Sequence, residues 1–318
     1  MTIDPFFKQF ITKILKTSTK YVQHSVKVGE LPLEIDLVFL VDPQKNALST
    51  VLGPLANFAS TYNIVEFKGP TDKFPARVLH KLIGYMGFYW ETENLPLAAH
   101  SLTVGWVFSS RSPQWMKKEN KIQPMDSTIP GLYRYENNSS FSIIIVLLSE
   151  LPIKREYYPL LVFSKGKTLK NFIKKVFEEN EQLYKGICQI INYKVVKQMS
   201  DTDEISLYDY GSNVREAIKF FGITNVVNQI GLRTVIQEVG LQAVIQEVGI
   251  KTLINEIGFE QLVAMLNKEE KADLRKHLEF KPAERLAGLT DEELEELEKL
   301  IEERKKNKQA ENKYFKNP

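Results

Sequence analysis

From Pro5 to His24 the apolar residues Phe6, Phe7, Phe10, Ile11, Ile14, Leu15 and Tyr21 recur mostly three and four positions apart. That spacing predicts an amphipathic helix over residues 5–24, and Pro5 suits its first turn, where a missing N–H breaks no bond. Val26-Lys27-Val28 alternates briefly and predicts a short strand. Residues 33–41 (Leu-Glu-Ile-Asp-Leu-Val-Phe-Leu-Val) and 63–67 (Asn-Ile-Val-Glu-Phe) predict two more, the second stopped by Lys68-Gly69-Pro70. A helix is predicted over 73–90 and a strand over 102–108. Residues 112–135 are polar and proline-containing and read as loop, followed by an apolar strand at 141–148. Residues 158–164 predict a further strand. Residues 167–184 predict a helix with Leu169, Phe172, Ile173, Val176 and Phe177 on one face. This order predicts an α/β domain over residues 1–200, a mixed sheet flanked by helices.

Residues 201–211 are polar and read as a linker. The pattern then changes. Gly222, Gly231, Gly240, Gly249 and Gly258 follow a strict period of nine, with apolar residues at unit positions two, five, six and nine. Nine residues at about 100° each turn a straight helix through about 900°, which reverses its apolar stripe at every unit. Either each glycine ends a short helix and the units stack into a bent solenoid, or one long helix buries opposite faces alternately. This predicts an all-α repeat region over 212–288. Residues 289–318 predict a charged helix and tail: Thr290 and Glu293 form a capping box, and Leu294, Leu297, Leu300 and Ile301 form one stripe. That stripe serves either a helix docked on the array or an oligomer seam.

Composition narrows the chemistry. In 318 residues, 43% are hydrophobic and 26% charged, the balance of an ordinary globular protein. The net charge of +2 exerts no global pull on nucleic acid, so any such contact needs a local patch. A single cysteine, Cys188, read as a core residue, excludes an intrachain disulfide and a cysteine-clustered metal site. The four histidines, His24, His80, His100 and His277, are too scattered to suggest a histidine-rich zinc site. The N-terminus lacks the basic start and long apolar core of a signal peptide, and the apolar run at 143–148 is far short of a membrane span. The expectation is a cytoplasmic protein without a membrane partner.

Candidate chemistry centres on Asp36, Glu66 and Lys68. Glu66 and Lys68 are two apart, so they project from one face of one strand. A neighbouring strand at 33–41 would bring Asp36 to the same point. A carboxylate among Leu33, Ile35, Leu37 and Val38 is costly unless a cation or donor stabilises it. Carboxylates beside a lysine are what metal-dependent phosphodiester hydrolysis requires.

Pro32-Leu33-Glu34-Ile35-Asp36-Leu37-Val38 followed by Ile64-Val65-Glu66-Phe67-Lys68-Gly69-Pro70 resembles the PD-(D/E)XK nuclease superfamily. Within it the pattern is similar to the recombination-promoting nuclease/putative transposase (Rpn-like) branch, over roughly residues 5–185. Residues 102–113, 151–153 and 158–163 resemble later segments of such proteins. The resemblance implies a restriction-endonuclease-like fold and Mg²⁺- or Mn²⁺-dependent cleavage of DNA. Asp36, Glu66 and the backbone carbonyl of Phe67 would be metal ligands, with Lys68 positioning the attacking water. Ile35 stands where the motif has Pro. The first helix offers no acid after Asp4, so the extra helical acid of many members is expected to be absent, with Glu34, or more weakly Glu30, as a substitute.

Around this motif, Lys73, Arg77, Lys81 and Tyr85 on the following helix are candidate nucleic-acid contacts, as is Arg111, which opens a basic stretch (Lys117, Lys118, Lys121) around Trp115. A solvated helix face and an ordinary loop explain the same residues. The expected function is a metal-dependent DNA endonuclease whose helical region serves assembly, as a homo-oligomer or with a protein partner, or targeting. The alternatives are a catalytically inactive nuclease-like scaffold and an RNA-directed nuclease.

Overall fold

The computed structural model describes residues 3–28, 33–41, 48–137, 141–206 and 210–231, with scattered positions between 234 and 274. The chain divides into two units, Met1–Asp209 and Tyr210–Pro318.

Helix α1 (Asp4–Leu15) buries Phe6, Phe7, Phe10, Ile11 and Leu15. It stops well short of the predicted end because two threonines take its last carbonyls. Thr17 Oγ1 donates to Ile14 O and Thr19 Oγ1 to Leu15 O, at 3.0 and 2.8 Å. Residues 21–24, expected to be helical, instead begin strand β1 (Tyr21–Val28), followed by β2 (Leu33–Leu40). A short helix α2 (Ser49–Leu52) and a 3-10 segment (Gly53–Phe58) precede β3 (Tyr62–Lys68). Helix α3 (Arg77–Thr92) then crosses over to β4 (Thr103–Ser109).

Strands β5 (Ile122–Pro124) and β6 (Leu132–Tyr135) lie within the stretch expected to be loop, and β7 (Ser142–Leu147) completes the sheet. Strands of three and four residues are too short to display a period. The seven-stranded mixed sheet has the order β1-β2-β3-β4-β7-β6-β5. Strands β3, β4 and β7 are mutually parallel, and the outer pairs are antiparallel. Helix α3 covers one face, where Val78, Leu79, Leu82 and Met86 pack with Ile35, Val38, Ile64, Val107 and Ile143.

Residues 158–164 form no strand. Helix α4 (Tyr158–Leu161) has Pro159 in its first turn, and its residues are buried on every side. An all-apolar run carries no period by which helix and strand can be separated. The single helix expected at 167–184 is two, α5 (Gly166–Glu178) and α6 (Gln182–Ile191), separated where Asn180 adopts φ +54°. Helix α7 (Tyr193–Asp201) extends into the expected linker. Cys188 is fully buried in α6, and burial pushes its thiol pKa up.

In the second unit, α8 (Tyr210–Phe221) and α9 (Ile223–Ile230) are separated by Gly222 at φ +81°, and α9 ends at Gly231 with φ +85°. These left-handed values are open to glycine at little cost, so the helix is interrupted at both repeat glycines. Most residues of the later units, and the helix predicted at 289–318, lie outside the described residues. Among the described residues no helix is long and apolar enough to cross a membrane.

Candidate active site at the ends of the parallel strands

The C-terminal ends of β3, β4 and β7 are hooked together in sequence. Ser110 N–H donates to Lys68 O at 2.9 Å, and Leu148 N–H donates to Ser109 O at 2.8 Å. Thr168 Oγ1, in the first turn of α5, donates to Ser149 O. Ser110 Oγ donates to Phe163 O at 2.6 Å, fixing the chain just ahead of α5. In open α/β sheets the crevice outside these carboxyl ends is where ligands collect.

Glu66, Phe67 and Lys68 end β3, and alternation sends Phe67 to the opposite face from its neighbours. The Phe67 ring is buried and stacks on Phe7 of α1, with centroids 3.8 Å apart and planes inclined by 5°. Phe163 meets both rings edge-on. This stack seats α1, and so sets Asp4 and Lys8, four residues apart on that helix, beside β2.

Asp36 lies where β2 parts from both neighbours. The β2–β3 pairing ends at Leu37↔Val65. The β1–β2 pairing passes from His24↔Leu37 to Val26↔Ile35, skipping Ser25, whose φ is +56°. One step beyond the last β2–β3 pair, the Asp36 side chain takes the place of a backbone acceptor: Phe67 N–H donates to its Oδ2 at 2.8 Å. Its other oxygen lies 3.0 Å from Lys8 Nζ, which also lies 3.1 Å from Asp4 Oδ2 and 3.2 Å from Glu34 Oε1.

Glu66 is only 2% exposed. Lys68 Nζ approaches its Oε1 to 2.6 Å and Lys81 Nζ, from α3, to 3.4 Å. Burying a carboxylate without such partners would be prohibitive. Gly69 N–H donates to Asp72 Oδ2 at 2.8 Å, which tightens the turn after β3.

Burial, and then the like charge of Asp36, raises the Asp4 pKa. Burial alone would lower that of Lys8, but the Asp36 and Asp4 carboxylates outweigh it and raise it. Lys81 is also raised: burial opposes the shift, and Tyr85 and Glu66 drive it. Glu34 is lowered by a hydrogen bond from Ser25 and by Lys8.

Asp36 therefore reaches the backbone between Glu66 and Lys68; its carboxylate is held by Lys8 of α1, and that of Glu66 by Lys68 of β3 and Lys81 of α3. Among the described residues no group of three or more His, Cys, Asp and Glu side chains is close enough to hold a metal ion. Mg²⁺ commonly takes only one or two carboxylates, completing its shell with water and substrate phosphate. A strand residue turns its N–H and C=O to the same side, so the Phe67 carbonyl faces the side from which Asp36 approaches. Asp36 and Glu66 have separate cation partners, Lys8 for the one and Lys68 with Lys81 for the other; carboxylate and carbonyl oxygens are the hard donors that Mg²⁺ or Mn²⁺ prefers.

No family model, curated protein or solved structure matches this chain.

Helix α1 carries no acid after Asp4, as expected; Asp4 lies in its first turn and shares Lys8 with Asp36 and with Glu34, whose side chain is 45% exposed. Two expectations need correction. Tyr85 is 3% exposed, a core residue beneath Lys81, whose Nζ lies 4.6 Å from its ring centroid. Trp115 does not stand free for base stacking, because its indole N–H donates to Phe74 O and its ring packs edge-on against Phe74. Lys73, Arg77, Lys81 and Arg111 are exposed. Lys8 and Lys165 were absent from the sequence-based site. The Asp4-x-x-x-Lys8 pair carried a weak signal for the first; nothing near Lys165 in the sequence pointed to β3.

Proposed function

We propose that this protein is a metal-dependent nuclease that hydrolyses phosphodiester bonds in DNA through Asp36, Glu66 and Lys68. The observation that supports it most is the hydrogen bond from Phe67 N–H to Asp36. It ties the carboxylate of one strand to the middle residue of Glu66-Phe67-Lys68 on the next, where the sheet opens. Chance occurrence of the two motifs does not require such a tie.

In this mechanism Asp36, Glu66 and the Phe67 carbonyl would hold Mg²⁺ or Mn²⁺. The ion, when bound, polarises a phosphoryl oxygen and acidifies water. Lys68, anchored on Glu66, offers N–H donors that orient the attacking water and offset charge building on the phosphate. Lys81 adds a second positive charge from α3. Asp4 and Lys8 adjust the charge around Asp36, and the Phe7–Phe67 stack keeps α1 in register with β3.

A second reading has its own observation. Asp36 already bears Lys8, and Glu66 bears Lys68 and Lys81, which is how a nuclease-like scaffold without turnover would neutralise its acids. Plasmid nicking with Mg²⁺ or Mn²⁺ separates the two. Wild type nicks, while Asp36→Ala and Lys68→Ala do not, if the site turns over. Equal background in all three favours the scaffold. Parallel reactions with single-stranded RNA decide the polymer: faster RNA cleavage would replace DNA as substrate. The second unit is assigned to assembly, and an unchanged oligomeric state after removing residues 212–318 would remove that role.

A further inference from the structure

Two cations converge on one carbonyl beside the motif. Pro70 O accepts from Arg111 Nε at 2.9 Å and from its Nη2, and also from Lys165 Nζ at 2.9 Å. These residues come from the turn after β3, the end of β4 and the residue preceding α5. Both side chains are exposed, and among the described residues neither Arg111 nor Lys165 forms an ion pair with a carboxylate. Asp72, in the same turn, directs its Oδ2 to Gly69 N–H instead.

The start of α5 adds to the imbalance. Lys165 is its N-cap, no side chain caps the helix, and its first turn contains no acid. Lys167, in that turn, is exposed. Helix N-termini ordinarily carry a capping oxygen or acids, because their N–H groups and dipole present positive charge. Lys165 beside Arg111, with Lys167 in the first turn, gathers like charge at the helix start, which a bound anion would offset. The whole chain carries only +2, so this surplus is a local patch and not a reflection of bulk charge.

We propose that Arg111 and Lys165 clamp a backbone phosphate of the nucleic-acid strand whose neighbouring phosphodiester lies at Asp36, Glu66 and Lys68. This rests on the assignment of that site to nucleic acid. Pro70 lies in the turn after β3, two residues beyond Lys68 and so at most roughly 7 Å from it along the chain, and the clamp serves a position next to the reacting one. Arg111 supplies a forked donor and Lys165 a point charge, complementary ways of gripping phosphate oxygens. In the free protein the Pro70 carbonyl holds both cations at the mouth of the site.

The test measures binding without cleavage. Full-length protein in EDTA is titrated into a fluorescein-labelled DNA duplex at a series of NaCl concentrations, with anisotropy as the readout. Variants are Arg111→Ala, Lys165→Ala and their double, with Lys194→Ala, an exposed lysine on α7, as control; unchanged melting curves confirm folding. The slope of log K against log[NaCl] is expected to be shallower by about 0.9 for each cation removed. Lys165→Arg and Lys194→Ala should keep the wild-type slope. Slopes for Arg111→Ala and Lys165→Ala equal to the control overturn the clamp, as does wild-type protein that binds neither DNA nor RNA. Nicking with Mg²⁺ is scored separately. Reduced slopes without wild-type cleavage leave the clamp standing and remove the catalytic assignment. Cleavage with unchanged slopes does the reverse.

Discussion

The pairing of Glu66 with Lys68 makes a quantitative prediction. Glu66 is 2% exposed, and its nearest partner is Lys68 at 2.6 Å, whose own side chain is 18% exposed. Lys81 stands farther off, at 3.4 Å, and its side chain is 45% exposed, so solvent screens it. Breaking a buried ion pair by removing one partner typically costs about 3–5 kcal/mol. Discounting for the partial exposure of Lys68 and the residual help of Lys81, Lys68→Met should cost about 2–3 kcal/mol. Glu66→Gln/Lys68→Met removes both charges and should lie within about 1 kcal/mol of wild type. With Glu66→Gln alone taken as nearly neutral, the coupling energy is about 2 kcal/mol, in the range measured for contacting pairs. Urea unfolding followed by tryptophan fluorescence suits this measurement. All three tryptophans, Trp90, Trp106 and Trp115, lie within Met1–Asp209, so the signal reports that unit. Lys68→Met within about 0.5 kcal/mol of wild type would refute the reasoning, as would a double variant no more stable than the sum of the singles.

Three further outcomes follow from the structure. Phe7→Ala should destabilise the first unit by about 3–5 kcal/mol, because Phe7 is fully buried on Phe67; Phe7→Leu, which refills most of the cavity, should cost clearly less, and equal losses would contradict a cost set by cavity volume. Asp4 holds its proton more tightly folded than unfolded, since burial and Asp36 raise its pKa above 3.8. Its contribution to stability is therefore retained below pH 3.8 and lost as pH rises through the raised value. The stability advantage of Asp4→Asn over wild type should consequently grow across that window, and an advantage that shrinks contradicts the assignment. Gly131 has φ +84°, and an added Cβ would lie 2.7 Å from Leu147 O. Gly131→Ala should lower unfolding stability by about 2 kcal/mol or more through strain and displacement of β7, and a melting temperature equal to wild type would be inconsistent with that geometry.

The central strands were legible because each pairs an apolar pattern with a clear stop: Lys68-Gly69-Pro70 ends the predicted strand within one residue of β3. The extent of α1 was not, because apolar spacing continues through Tyr21 while the end is dictated by Thr17 and Thr19 hydroxyls reaching back to carbonyls. Residues 158–164 misled for a different reason: a segment buried all round has no polar positions to mark its period. Within the site, the Glu66–Lys68 contact follows from strand alternation and was accessible. The role of Lys8 was not, since it depends on how the Phe7–Phe67 stack seats α1. Lys165 depends on a crossover that no local pattern encodes.

The Pro70 carbonyl has a consequence for the order of assembly. Its partners lie 41 and 95 residues further along the chain, whereas the motif is complete at Lys68. A nascent or truncated chain can thus contain every residue of the motif while lacking one wall of the site. Contacts of such separation carry a large loop-closure cost and form after local structure has reduced it. The bonds from Arg111 and Lys165 to Pro70 O form only when β4 and the start of α5 have joined β3, which makes them reporters of completed folding around that turn.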